Sequence, residues 1–122
     1  KTGRMFDSII LLQPLNRGIS GRITLLRIDG ISKGEPANII LNSEYEIRRV
    51  LHPNFLYSSA FIIETNYDLD SQPSQIKLIG AGWGHGVGLC QIGALGMALN
   101  GSSFENILSH YFHSTELKNI YD

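Results

Sequence analysis

The stretch from Gly80 to Gly101 constrains the fold of this chain more than any other part of the sequence. It holds eight of the thirteen glycines, and five of these alternate with other residues up to Gly88. Alternating glycines remove side-chain packing and increase the entropy lost on ordering, so a regular helix or strand is disfavoured. We expect a loop in which glycines take positive φ and the backbone can approach a ligand closely. Trp83 and His85 are the side chains that such a loop would display.

A helix is predicted to follow this glycine loop. From Val87 onward, apolar residues recur at helical spacing, and the pattern ends at Asn100-Gly101, a common C-terminal signal. The N-terminus of a helix favours anionic or polar ligands because its N–H groups are exposed. The loop has neither the lysine of a P-loop nor the glycine spacing of a dinucleotide fingerprint. The Gly-x-Ser-x-Gly elbow of serine hydrolases is also missing from the sequence.

The rest of the pattern predicts about five or six strands and about three helices in one α+β domain. A capping box with Ser43 as N-cap and Glu46 begins the first helix, which runs to Leu51. A second capping box, Ser102 with Glu105, is predicted to begin the last helix. We expect a curved antiparallel or barrel-like sheet against these helices. The predicted strands cover residues 6–13, 22–29, 37–41, 59–66 and 75–79.

Composition excludes several classes of function. Ten basic and eleven acidic side chains give a net charge of −1, which does not favour binding to nucleic acid or an anionic membrane. No apolar run approaches the roughly 18 residues of a transmembrane helix. The length of 122 residues favours one domain, and the single Cys90 excludes an internal disulfide.

The segment from Gly82 to Gly101 resembles the signature of the SpoIID/LytB family. That family includes stage II sporulation protein D, which degrades peptidoglycan, and relatives described as amidase enhancers. Order and approximate spacing agree over about residues 3–117. The further matching segments are Ser20-Gly21-Arg22-Ile23, Glu46-Ile47-Arg48, Ser58-Ser59-Ala60-Phe61, Ile107-Leu108 and His110-Tyr111-Phe112.

The resemblance implies a lytic transglycosylase acting on the glycan strands of peptidoglycan outside the cytoplasm. In such an enzyme one glutamate protonates the leaving glycosidic oxygen and then accepts the proton of the sugar's own C6 hydroxyl, leaving a 1,6-anhydro end. The family carries this glutamate in an upstream segment of the type P-x-E-A-x-K-A-Q-A-x-A-A-R-T, and the 122 residues contain no such segment. We therefore expect residues 1–122 to be the C-terminal portion of a single SpoIID/LytB-like domain, inactive alone, with no catalytic residue of its own.

The resemblance also assigns residues to the substrate-binding face of the cleft. They are Arg48, Ser58, Trp83, His85, Gly86, Cys90 and Gln91.

Each of these side chains also has a structural interpretation. Trp83 would either stack on a sugar or pack beneath the glycine loop. His85 would bind a sugar or the catalytic carboxylate, or be satisfied by backbone groups in a turn. Arg48 would pair structurally or contact glycan, and Gln91 would bind sugar hydroxyls or cap the loop. Cys90, where the family usually has serine, would be a reactive thiolate or a small buried side chain.

Two further hypotheses about the site remain. His85, Cys90, His110 and His113 suggest zinc, but their spacing fits no standard ligand pattern, so no cofactor is expected to be required. A metal-dependent or thiol enzyme built on these residues is the least favoured function. The main alternative to the transglycosylase is a non-catalytic wall-binding module that enhances a partner amidase.

Overall fold

The computed structural model describes residues 6–121, which form two compact units, one extending to His85 and the other beginning at Gly86. These residues contain five strands and three helices, so the predicted α+β class is confirmed. In chain order the elements are β1 Ser8–Arg17, β2 Ile23–Ser32, β3 Glu35–Leu41, α1 Glu44–Val50, β4 Phe61–Tyr67, β5 Pro73–Gly80, α2 Gln91–Leu99 and α3 Phe104–Tyr111.

The strands form two antiparallel sheets in the first unit. One has the order β1-β2-β3 and the other is the hairpin β4-β5; between residues 6 and 121 the strands do not close into a barrel. Strands β1 and β2 form an antiparallel hairpin, and β1 runs through Asn16 and Arg17, past the predicted end of this strand at residue 13. The turn lies later, where the Gly18 N–H donates to the Arg22 carbonyl over 2.9 Å.

The hydrophobic core lies between β2, its neighbouring strands and α1. Ile23 and Leu26 are both fully buried although they are three residues apart, which a strictly alternating strand would not allow. The pairing of β1 with β2 is irregular between Pro14 and Arg17, and such irregularities change which face a side chain occupies. The buried apolar residues are Leu12, Ile23, Leu26, Ile28, Leu41, Ile47 and Phe61.

Helix α1 begins at the capping box that the sequence predicted. The Ser43 hydroxyl accepts from the Glu46 N–H over 3.1 Å, and the Glu46 carboxylate accepts from the Asn42 N–H over 3.2 Å. These bonds satisfy N–H groups that have no partner within the helix. Ile47 is fully buried and packs the helix into the core, and Leu51 ends it as the C-cap.

The β4-β5 hairpin carries the chain into the glycine loop. Phe61 and Ile63 share the inner face, whereas Ile62 between them is exposed. The Ile23 N–H donates to the Ser59 carbonyl over 3.0 Å, and the Arg17 guanidinium donates to the Phe61 carbonyl over 2.7 Å. These bonds attach the start of the hairpin to the first sheet.

The second unit contains α2 and α3. Helix α2 begins at Gln91 and not near Val87 as predicted, because Gly86 and Gly88 have φ values of 71° and 103° that no right-handed helix contains. The N-cap of α3 is Ser103, whose hydroxyl accepts from the Asn106 N–H over 3.4 Å. The predicted capping box was therefore wrong by one residue: it had Ser102 as N-cap. On α3, Ile107, Leu108 and Tyr111 are half-buried, whereas Phe104 is exposed.

Candidate functional site

The glycine loop has the backbone conformation that the sequence predicted. In the first unit Gly82 and Gly84 have φ values of 88° and 80°, on either side of Trp83. Residues with a Cβ rarely adopt this region, so glycine is required at both positions. The two glycines turn the backbone sharply around Trp83 and present its side chain to solvent.

Arg22, at the start of β2, holds this part of the loop in place. Its Nε donates to the Gly84 carbonyl over 2.9 Å, and its Nη2 contacts the Trp83 carbonyl over 3.3 Å. The Gly84 N–H in turn donates to the Tyr57 carbonyl over 2.8 Å. The loop is therefore fixed from two sides. The sequence had indicated Arg22 only as part of a matching segment.

Tyr57 and Trp83 form a stacked pair, which we call the aromatic platform. Their ring centroids are 4.5 Å apart and the ring planes are inclined by 18°. Trp83 is nevertheless 78% exposed and Tyr57 66% exposed. Trp83 is thus not packed beneath the glycine loop: Tyr57 covers one face of the indole and much of the remainder meets solvent.

The aromatic platform borders a cavity of about 480 Å³, which we call the platform cavity. Its lining residues are Arg48, His52, Asn54, Phe55, Leu56, Tyr57 and Trp83.

Arg48 shapes one wall of this cavity through three structural contacts. Its Nε donates to the Leu56 carbonyl over 2.8 Å, and its Nη1 pairs with the Glu44 carboxylate over 3.1 Å. Its guanidinium carbon lies 4.3 Å from the centre of the Phe55 ring, a cation–π distance. A planar guanidinium can make all three contacts at once, which a lysine could not.

His52 organises the turn that leads to the aromatic platform. Its Nδ1 accepts from the N–H groups of Asn54 and Phe55 over 3.2 and 3.1 Å. An imidazole that accepts at Nδ1 carries its hydrogen on Nε2 when it is neutral. The turn therefore places the aromatic side chain of Phe55 and the polar side chains of His52 and Asn54 together on the wall of the platform cavity.

A second, smaller pocket of about 170 Å³ adjoins the platform cavity, and we call it the small pocket. It shares Leu56 and Tyr57 with the platform cavity. Ser58 also lines it, and its hydroxyl accepts from the Ala60 N–H over 3.0 Å. The remaining lining residues are Ala60, Phe61, Leu78, Gly80, Ala81 and Gly82.

The other predicted site residues lie at or beyond the boundary of the units. His85 is exposed and ends the first unit, whereas Gly86, Cys90 and Gln91 belong to the second. Cys90 is exposed and not buried, and it is the N-cap of α2, with its Sγ accepting from the Gly93 N–H over 3.4 Å. This position suits a small acceptor, which gives a physical reason for the serine usual in the resembling family.

Over residues 6–121, no group of three or more His, Cys, Asp or Glu side chains could hold a metal ion. The helices of this region include none that is long and apolar enough to cross a membrane.

Sequence reasoning missed most of the residues around the platform cavity. Arg48 and Trp83 were predicted, but His52, Asn54, Phe55 and Tyr57 were not. The signal that could have found them is the occurrence of two aromatic residues in the short segment after His52-Pro53, where a helix stops and no strand has begun. Aromatic side chains in an irregular segment require either a packing or a binding role.

The first unit of this protein is of the α+β class, and its glycine loop supports an exposed aromatic pair beside a cavity. A family model described as "Domain of unknown function (DUF8618)" matches residues 1–88, and the chain belongs to that family. An uncharacterized protein of Brachyspira hyodysenteriae is 31% identical over 98 residues. The alignment covers 80% of this chain but only 23% of that relative, so the chain spans about a quarter of its length. The search of solved structures gave no significant match.

Proposed function

We propose that this chain binds the glycan strands of peptidoglycan at the aromatic platform and the platform cavity. The observation that carries the proposal is the stacked and exposed pair of Tyr57 and Trp83 beside a cavity of about 480 Å³. Aromatic rings offer flat apolar surface at low entropic cost, and the C–H face of a pyranose ring is a flat partner for such a surface. The resemblance to SpoIID/LytB proteins supports peptidoglycan as the source of the sugar.

The polar groups of the platform cavity complement this surface. Ligand sites in proteins combine apolar walls with a few polar groups that fix the orientation of the ligand. The polar side chains of Arg48, His52 and Asn54 lie on the wall of this cavity beside its aromatic residues. A sugar ring presents hydroxyls around its edge and C–H bonds on its faces, so this combination favours a carbohydrate over a purely apolar ligand.

The chemistry proposed for the whole protein is lytic transglycosylase cleavage outside the cytoplasm, with no required cofactor. The acid/base glutamate is proposed in a segment that the 122 residues do not contain, and the chain would supply the wall of the cleft that faces glycan. A non-catalytic wall-binding module that enhances a partner amidase is the alternative. Both proposals require glycan binding at the aromatic platform.

Replacement of Trp83 by alanine tests the proposed binding. We expect the affinity for tetra-N-acetylchitotetraose, measured by isothermal titration calorimetry, to fall about tenfold, equivalent to ~1.4 kcal/mol. Sedimentation with purified peptidoglycan sacculi should fall in parallel. The matched control is Tyr67→Ala, because Tyr67 is an exposed aromatic residue of β4 that does not line the platform cavity. Equal binding by the wild type and Trp83→Ala, with both folded by circular dichroism, would contradict the proposal.

A further inference from the structure

We infer that the small pocket is an acyl subsite, which takes the 2-acetamido group of a sugar ring stacked on the aromatic platform. This inference rests on the proposed function, and it adds the substituent that the site selects. Tyr57 belongs both to the platform and to the wall of the small pocket. Because Leu56 and Tyr57 line both the platform cavity and the small pocket, we expect a ring held at the platform to place a substituent near the small pocket.

The dimensions and polarity of the small pocket suit an acetamido group. The nine described residues of its wall carry no charged side chain, and Leu56, Ala60, Phe61 and Leu78 make most of the wall apolar. A volume of about 170 Å³ is small for a whole sugar, since sites for drug-sized ligands span roughly 300–1,000 Å³. An apolar recess of this size favours a methyl-bearing substituent over a hydroxyl or an amine.

Ser58 supplies the polar group that an acetamido carbonyl needs. The Ser58 oxygen accepts from the Ala60 N–H over 3.0 Å, so one of its lone pairs is in use. Within residues 6–121 the structure gives its hydroxyl hydrogen no acceptor. A hydroxyl held in this way can donate to the acetamido oxygen while the methyl group contacts the apolar wall.

Gly82 contributes backbone but no side chain to the wall of the small pocket. A Cβ on Gly82 would lie 3.6 Å from the Ser58 oxygen and 3.3 Å from Nη2 of Arg22, and so would occupy space beside the hydroxyl. The positive φ of Gly82 is the reason that glycine is favoured at this position. The loop thus positions Trp83 and leaves room for the substituent in the same turn.

Three tetrasaccharides that differ only at C2 test the inference by calorimetry on the whole chain. They are tetra-N-acetylchitotetraose, chitotetraose with free amines, and cellotetraose with hydroxyls. We expect the acetylated ligand to bind at least about tenfold more tightly than cellotetraose, equivalent to ~1.4 kcal/mol. Cellotetraose is the decisive comparison because it is uncharged, whereas chitotetraose differs from the acetylated ligand in charge as well as in the acyl group.

Two variants test whether the preference for the acetylated ligand arises in the small pocket. Ser58→Ala removes the donor, and Ala81→Leu adds bulk at an exposed lining residue whose backbone N–H bond to Ala60 is retained. Both should reduce the ratio of affinities for acetylated ligand and cellotetraose, a readout that a general loss of stability does not change. The matched control is Ser74→Ala, since the Ser74 hydroxyl donates to the Asn66 carbonyl at the end of the β4-β5 hairpin opposite Gly80.

The outcomes separate this inference from the proposed function. Equal binding of all three ligands, or an unchanged ratio in both variants, would overturn the acyl subsite and leave glycan binding in place. No binding of any of the three would overturn the proposed function itself. Selective binding of the acetylated ligand that is lost in Ser58→Ala and Ala81→Leu supports both.

Discussion

Ser58 and Ser59 are adjacent in sequence, but their hydroxyls have different environments. Ser58 accepts a backbone hydrogen bond, as described above, whereas Ser59 is fully buried and its Oγ has no hydrogen-bond partner among the described residues. A buried polar group without a partner loses its bonds to water and gains none in return, at a cost of roughly 1–3 kcal/mol. Ser59 is therefore a place where the folded state is less stable than it could be.

Replacement of Ser59 by alanine should raise the free energy of unfolding by about 1 kcal/mol, because it removes the unpaired hydroxyl and leaves the packing almost unchanged. Urea denaturation followed by circular dichroism measures this change. Ser58→Ala serves as the contrasting variant, and it should lower stability because the Ala60 N–H loses its acceptor. A Ser59→Ala variant less stable than the wild type would show that the hydroxyl has a partner.

At the scale of single residues, the sequence predicted hydrogen bonds between chain neighbours better than contacts between residues that are distant in sequence. The capping of α1 by Ser43 was predicted because both partners lie within one helical turn. Ser103, and not Ser102, caps α3, since two adjacent serines satisfy the same pattern and only the backbone decides between them. The stacking of Tyr57 on Trp83 joins residues far apart in the sequence, and no periodicity reports such a contact.

Helix α2 contains two glycines that differ in what surrounds them. A Cβ on Gly93 would collide with the hydroxyl of Tyr111 in α3 and lie 3.4 Å from its ring carbon Cζ. A Cβ on Gly96 would meet no atom within 4 Å. Gly93 therefore permits close contact between the two helices, whereas Gly96 has no evident role in packing.

Replacement of Gly93 by alanine and replacement of Gly96 by alanine should change stability in opposite directions. Gly96→Ala should raise the free energy of unfolding by about 0.5–1 kcal/mol, because alanine loses less backbone entropy in a helix. Gly93→Ala should lower it, since displacement of Tyr111 outweighs the same gain. Thermal unfolding of both variants measures the difference, and Gly93→Ala combined with Tyr111→Phe should recover part of the loss. Equal stabilisation by both alanines would exclude close packing at Gly93.

The sequence predicted some boundaries of helices and strands more accurately than others, and the reason is physical. The strand leading to Gly80 and the helix ending before Gly101 were found, because hydrophobic periodicity extends through both. The start of α2 was placed too early, since Val87 fits the helical spacing while its glycine neighbours adopt positive φ, which lies outside a right-handed helix. The spacing of apolar residues reports only where side chains would lie on a helix. Where the helix begins depends on the backbone conformation, and here the glycines before Gln91 have a conformation that is not helical.

On the scale of the whole molecule, the sequence predicted the α+β class but not the arrangement of strands. Strand order depends on which edges meet, and a single sequence does not encode this in a local pattern. The separation into a three-stranded sheet and a hairpin therefore emerged only from the structure.

Peptide-stripped glycan strands, incubated with the full-length protein and with the 122-residue chain, test the proposed catalytic reaction. We expect 1,6-anhydro ends, detected by mass spectrometry, from the full-length protein alone, because the acid/base glutamate is proposed outside these residues. The products should persist in the presence of a chelator, since one carboxylate suffices for this reaction. Retention on glycan without products from either protein would favour the non-catalytic wall-binding module.

The bond between Arg22 and Gly84 also affects how the protein reaches its native state. It joins residues 62 positions apart, so the chain between them must close into a large loop before the contact can form. Contacts of this separation slow folding more than local turns do. Because Trp83 is the single tryptophan of the chain and lies next to this contact, its fluorescence follows the completion of long-range structure and not the early local turns.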